Sequence, residues 1–189
     1  FNRLVTLPNG IFDGMDNLRF LYLSNNQIAT LPKGVFNESR NMWYLYLSYN
    51  QLTTLPDSVF GLGNLRRDIY LSYNKLSTLP SRVFNEMVNL RKMYLNNNQL
   101  VTLPNDAFNG LTSLVFMNLS ENQLLTLPNG IFNETNRLDC LLLGSNQLTT
   151  LSEDTFSGLG LISRLHLDLS HNRLATFPDR IFRDIIYLD

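Results

Sequence analysis

Four side chains toward the C-terminal end of this 189-residue chain have the chemistry to hold a metal or to activate a nucleophile: Cys140, His166, Asp168 and His171. Thiolate and neutral imidazole bind zinc, and a Cys beside a His can be deprotonated into a nucleophile. On a strand His166 and Asp168 share one face, because side chains alternate with a period of two. The spacing from Cys140 to the histidines fits no metal-ligand motif, however, and nothing suggests an oxyanion hole. No Walker loop, nucleophile elbow or zincin pattern occurs either. The sequence therefore predicts no catalytic residue, no metal and no cofactor.

A second set of residues has the chemistry of recognition. Tyr22, Tyr46, Tyr70 and Tyr94 recur at intervals of 24 residues. Phe20, Trp43, Tyr44, Tyr49, Tyr73 and Phe116 lie close to them in sequence, with Arg67, Asp68, Arg91 and Lys92 among them. Rigid aromatics beside arginine are the side chains that binding surfaces favour. Three sequons add a third set: Asn37-Glu38-Ser39, Asn118-Leu119-Ser120 and Asn133-Glu134-Thr135.

The elements that must position these residues are set by internal periodicity. Asn2, Asn26, Asn50, Asn74, Asn98, Asn122 and Asn146 keep the 24-residue interval, and Asn172 follows. Phe12, Phe36, Phe60, Phe84, Phe108, Phe132, Phe156 and Phe182 form a second ladder, and Leu23, Leu47, Leu71, Leu95, Leu119, Leu143 and Leu169 a third. Each unit reads as an alternating strand, an Asn turn, a Leu-Pro and a Phe. In the copy Leu18-Arg19-Phe20-Leu21-Tyr22-Leu23-Ser24-Asn25-Asn26, Leu21 and Leu23 face inward while Phe20 and Tyr22 face solvent. A strand this short cannot bury its apolar side alone, so stacked units must form a parallel sheet over one shared core. The Asn amide can satisfy backbone groups that the turn leaves unpaired. Prolines at 8, 32, 56, 80, 104, 128 and 178 disfavour helices on the far side, which should be irregular or briefly 3₁₀.

Leu31-Pro32-Lys33-Gly34-Val35-Phe36 and Leu127-Pro128-Asn129-Gly130-Ile131-Phe132 resemble the typical extracellular leucine-rich repeats of variable lymphocyte receptors and Toll-like receptor ectodomains. The resemblance covers essentially the whole chain. It implies an α/β solenoid of horseshoe type over residues 1–189, with a parallel sheet on the concave face and few or no long helices. About seven 24-residue units are expected, with partial repeats at the ends and without the Cys-rich caps of secreted members. Flanking capping modules are therefore expected beyond the chain. Several positions depart from the pattern. Leu65 stands one place early with Arg66 in its slot, Ser152 replaces Pro, and Phe177 replaces Leu. Ser39, Gly63 and Thr135 fill a convex position that usually takes Leu, and two extra residues fall near Gly160 to Ser163.

The formal net charge of −1, with no run of like charge, argues against nucleic acid and anionic membrane as partners. No apolar run approaches the ~18–20 residues of a membrane span. Cys140 is alone and can form no intrachain disulfide, which favours a reducing compartment, whereas repeat type and sequons favour the outside of the cell. The repeat type decides for an extracellular or secreted glycoprotein of the immune-receptor or adhesion kind, bearing glycans on Asn37 and Asn133. It is expected to bind a protein or a glycan through the concave sheet. The alternative is a matrix or cell-wall solenoid that self-associates through its flanks.

Overall fold

The computed structural model describes residues 2–39, 41–60, 65–159 and 164–188. Seven three-residue strands form a single parallel sheet in sequence order: β1 (Phe20–Tyr22), β2 (Tyr44–Tyr46), β3 (Asp68–Tyr70), β4 (Lys92–Tyr94), β5 (Phe116–Asn118), β6 (Cys140–Leu142) and β7 (His166–Asp168). Each strand pairs with the next without slippage, so equivalent residues of successive units are direct neighbours, as in Tyr22↔Tyr46↔Tyr70↔Tyr94. Among the described residues the return path on the convex side is a succession of turns, with 3₁₀ conformation at Leu159, in keeping with the prolines.

Three ladders build the core. Leu45, Ile69, Met93, Met117 and Leu141 point inward from the centres of their strands, and Leu47, Leu71, Leu95, Leu119 and Leu143 follow just after; all are fully buried. On the far side the Phe rings stack along the solenoid, with centroids 5.8 Å apart for Phe12–Phe36 and 6.0 Å for Phe36–Phe60. The Asn ladder is the polar spine. Asn98 accepts from the Leu76 N–H through Oδ1 at 3.0 Å, and its Nδ2 donates to the carbonyls of Leu71 and Leu95, both at 3.0 Å. One buried amide thus ties its own turn to the preceding coil and satisfies groups that no strand neighbour reaches. The pattern repeats at Asn50, Asn74, Asn122 and Asn146.

The departures from the repeat have local remedies. Leu65 is buried and takes the place that exposed Arg66 leaves. Thr135 Oγ1 donates to the Phe132 carbonyl at 2.9 Å, whereas buried Ser39 Oγ has no partner among the described residues. Gly63 and the insertion at residues 160–163 lie outside the described residues. At Ser152 the substitution introduces an N–H that proline lacks. Thr155, where other units carry Val, Ile or Ala, supplies the acceptor: the Ser152 N–H donates to Thr155 Oγ1 at 2.9 Å. Thr155→Val should therefore orphan that N–H and cost about 1–2 kcal/mol. Adding Ser152→Pro should restore most of the loss. Thermal unfolding of the two single variants and the double variant measures this coupling, and strict additivity would refute it.

The concave sheet as candidate binding surface

The outward positions of the strands form two columns. The first runs Phe20, Tyr44, Asp68, Lys92, Phe116, Cys140 and His166; the second runs Tyr22, Tyr46, Tyr70, Tyr94, Asn118, Leu142 and Asp168. Strands in a sheet are about 4.8 Å apart, close to the thickness at which aromatic rings stack. The four tyrosines of the second column accordingly lie face to face. Their centroids are 4.5 Å apart for Tyr22–Tyr46, Tyr46–Tyr70 and Tyr70–Tyr94, with planes within 11° of parallel. Phe20 stacks on Tyr44 at 5.2 Å, and Phe116 closes the stripe by tilting against Tyr94 at 4.9 Å. Faces are consumed by neighbouring rings, so the inner members of the stripe offer edges and hydroxyls.

Tyr49 and Tyr73 form a further stack, 4.3 Å between centroids, at the turn just after the strands. Both have positive φ, 57° and 55°, at the position before the ladder Asn where other units carry Asn25, Asn97, Glu121, Ser145 and His171. That left-handed conformation is costly for a bulky residue. The stack offsets it, and it leaves two tyrosines 51% and 44% exposed beside the main stripe.

Charge enters at the strand entry. Trp43 lies between two guanidinium groups, with Arg19 5.0 Å and Arg67 6.0 Å from its ring. Arg19 was not picked out from sequence, although it shares its position in the repeat with Trp43, Arg67 and Arg91; that shared position was the available signal. Arg91 and Lys92 are exposed as read. Asp68 is different. It points to the outward side yet is only 8% exposed, and it accepts a hydrogen bond from the Tyr70 hydroxyl at 3.2 Å. Burial raises its pKa, opposed by that hydrogen bond and by Lys92, Arg67 and Arg91. Burial, and then the Asp68 charge, push the Tyr70 phenol far above its usual range. Asp68 therefore anchors Tyr70 from below and offers little of itself to a ligand.

A sign follows for stability. The folded pKa of Asp68 lies above its unfolded value, so the folded state holds that proton more tightly. This group's penalty is fully present above its folded pKa and disappears as pH falls toward the ordinary 3.8. Asp68→Asn should remove that dependence and match or exceed the wild type in stability at neutral pH. Denaturant titrations across the acid range would show it, and a clear loss for the Asn variant would contradict it.

Cys140, His166 and Asp168 come together at the β6–β7 end of the sheet. Cys140 and His166 are paired across β6 and β7. Burial pushes the Cys140 thiol up, with Asp139 and Asp168 adding to the shift. Asp168 is held below its usual range by hydrogen bonds from Ser170, whose N–H lies 2.8 Å from Oδ1. Among the described residues no group of three or more His, Cys, Asp or Glu side chains is placed to hold a metal ion.

The sequon asparagines divide by face. Asn37 and Asn133 are exposed on the convex side. Each folds back over a glycine of positive φ, and a Cβ at Gly34 or Gly130 would lie 2.7 Å or 2.5 Å from the amide Nδ2. A glycan on Nδ2 requires the side chain to swing outward, which exposure permits. Asn118 sits on the concave sheet, and its Oδ1 accepts from the N–H and the hydroxyl of Ser120 at 3.0 Å and 2.7 Å.

Repeating strand, Asn turn and Phe spine define a solenoid of leucine-rich repeats, and the chain belongs to that family. The family described as Leucine rich repeat matches residues 1–52, 17–67, 67–124 and 117–174. Among solved structures, the chain is similar to one in the Toll–Spatzle complex, a molecular hub in Drosophila development and innate immunity. Identity there is 27% and TM-score 0.80, over 99% of this chain and 30% of that one. The glycosylated form of that complex matches at 28% identity and TM-score 0.72, over 90% and 26%. A chain of the TLR13–ssRNA13 complex matches at 27% identity and TM-score 0.86, over 98% and 26%. This chain thus spans less than a third of the length of those it resembles. No curated protein matches it in sequence. Among the described residues no helix is long and apolar enough to cross a membrane.

Proposed function

We propose that this chain is a non-catalytic, extracellular recognition module of an immune-type or adhesion receptor, and that it binds a protein ligand through the concave sheet. The observation that carries this reading is the tyrosine stripe from Tyr22 to Tyr94, flanked by Phe20, Trp43, Tyr44, Tyr49, Tyr73 and Phe116. Mutual stacking locks the rings, so docking on them freezes little side-chain entropy. Sugars and nucleobases engage aromatic faces, and here the faces of Tyr46 and Tyr70 are covered on both sides. A row of phenol edges and hydroxyls instead suits the backbone and polar side chains of a protein, as in antibody paratopes. The similarity to chains from a Toll–Spatzle complex supports a receptor role.

The test uses the immobilised protein and extracellular fluid from its own source, with retained proteins identified by mass spectrometry. A ligand held by the wild type and by Arg82→Gln on the convex side, but lost from Tyr46→Ala/Tyr70→Ala, is the expected result. Equal retention by all three would overturn the reading and favour self-association through the flanks. Extracellular passage is tested separately by intact mass before and after N-glycan removal. Two glycans are expected, on Asn37 and Asn133, with none on Asn118; an unchanged mass would contradict it.

A further inference from the structure

Beside the tyrosine stripe, on the flank where the chain enters the strands, lies an open depression of about 400 Å³. Arg66 and Arg67 line it from the third unit, Asn89 and Arg91 from the fourth, Ser113 from the fifth and Arg137 from the sixth. The fifth unit contributes only small side chains, and that gap leaves the hollow between arginines two units apart. All four arginines are exposed. Among the described residues no carboxylate lies within ion-pair distance of any of them, whereas Arg82 and Arg183 elsewhere do have acidic partners. Four guanidinium groups around one hollow repel one another, so an anion placed there gains from all four.

The kind of anion follows from three observations. Guanidinium forks bind carboxylate, sulfate and phosphate bidentately, so the site reads planar or tetrahedral oxyanions. The positive zone is short: the position before each strand carries Arg67 and Arg91, then Val115, and then exposed Asp139. Asp168 follows on the next strand, and the whole chain carries a net charge of −1. A long polyanion laid along the strand entries would pass from Arg67 and Arg91 to the Asp139 carboxylate within two strands, about 10 Å. Finally, the faces of Tyr46 and Tyr70 at the centre of the stripe are covered on both sides, which removes the stacking contact these rings could give a base or a sugar.

We propose that this arginine-lined depression receives a cluster of carboxylates from the protein ligand, a short acidic segment whose flanking residues lie on the tyrosine stripe. The proposal rests on the concave-face reading and names the chemistry of its partner. Arg67, stacked toward Trp43, is the arginine that joins the two parts of the surface. Arg67 and Arg91 leave adjacent strands, tied by the Arg91 N–H to the Arg67 carbonyl, so their forks can grip two carboxylates of an extended acidic segment.

The experiment is calorimetric titration of the intact chain at low salt with a hexaglutamate peptide, a sulfated hexasaccharide and a six-nucleotide single-stranded RNA. Hexaglutamate should bind saturably and more tightly than either polymer. Arg67→Gln/Arg91→Gln should weaken it by at least about tenfold. The charge-preserving Arg67→Lys/Arg91→Lys should weaken it by a few-fold, because an ammonium group cannot replace the fork. Arg82→Gln should leave it unchanged. Absence of saturable hexaglutamate binding, indifference to the Arg67/Arg91 variants, or tighter binding of the saccharide or RNA would each overturn the proposal. None of these outcomes depends on the natural ligand. Failure here is therefore distinct from failure of the tyrosine variants to release a captured protein.

Discussion

Asn98→Ala should destabilise the protein by roughly 3 kcal/mol or more, while the same change at Asn172 should cost about 1 kcal/mol. The difference comes from position in the ladder. Asn98 is buried in the middle of the stack, and its loss orphans the Leu76 N–H and takes one of two amide donors from each of the Leu71 and Leu95 carbonyls, which keep only those of Asn74 and Asn122. Water cannot easily reach them, since the leucines around them are fully buried. Asn172 makes the equivalent bonds, to the Leu148 N–H and the Leu143 and Leu169 carbonyls, but it is only half-buried and water can substitute there. Denaturant unfolding of both variants measures the contrast. Equal, small losses at the two positions would mean that the amide ladder is not the polar spine of the fold.

The ladders were legible in the sequence because each residue type has one physical duty repeated at a fixed interval. Leu71 and Leu95 can only be core, and Asn74 and Asn98 can only be turn amides, once the period is seen. Parallel in-register pairing then places Tyr22, Tyr46, Tyr70 and Tyr94 side by side, so the stripe was legible too. Features that depend on side-chain geometry between positions were not. Asp68 reads as an outward charge, yet the rings beside it bury it under the Tyr70 hydroxyl. Arg66, Arg91 and Arg137 occupy different places in their own repeats, and only the folded chain brings them around one hollow. The Ser152–Thr155 remedy was likewise hidden, because the need for an acceptor appears only when the backbone turn is drawn.

Replacing Tyr46 and Tyr70 together by Ala should lower affinity for the captured ligand by roughly 100-fold or more, since central aromatic anchors are worth about 2 kcal/mol or more each. Four ring stacks are broken at once, so some stability must go as well. At about 0.5–1.5 kcal/mol per stack the loss is tolerable for a solenoid held by three ladders. Tyr46→Phe/Tyr70→Phe separates the two effects. It keeps the stacks, at the cost of the Tyr70 hydroxyl's hydrogen bond to buried Asp68, and it removes the hydroxyls that closed faces leave as the main polar contacts. The Phe pair should therefore bind at least about tenfold more weakly than the wild type. Full affinity in the Phe pair would show that ring bulk alone is recognised.

Hydroxyl-radical footprinting of the protein with and without its captured ligand tests the concave-face assignment most directly. Tyr22, Tyr49 and Tyr73 are 69%, 51% and 44% exposed on or beside the stripe, while Tyr187, at 65%, lies away from it near the last unit. Protection of the first three with Tyr187 unchanged is the predicted result. Protection of Tyr187 with Tyr22, Tyr49 and Tyr73 still oxidised would place the ligand at the end of the solenoid and contradict the assignment.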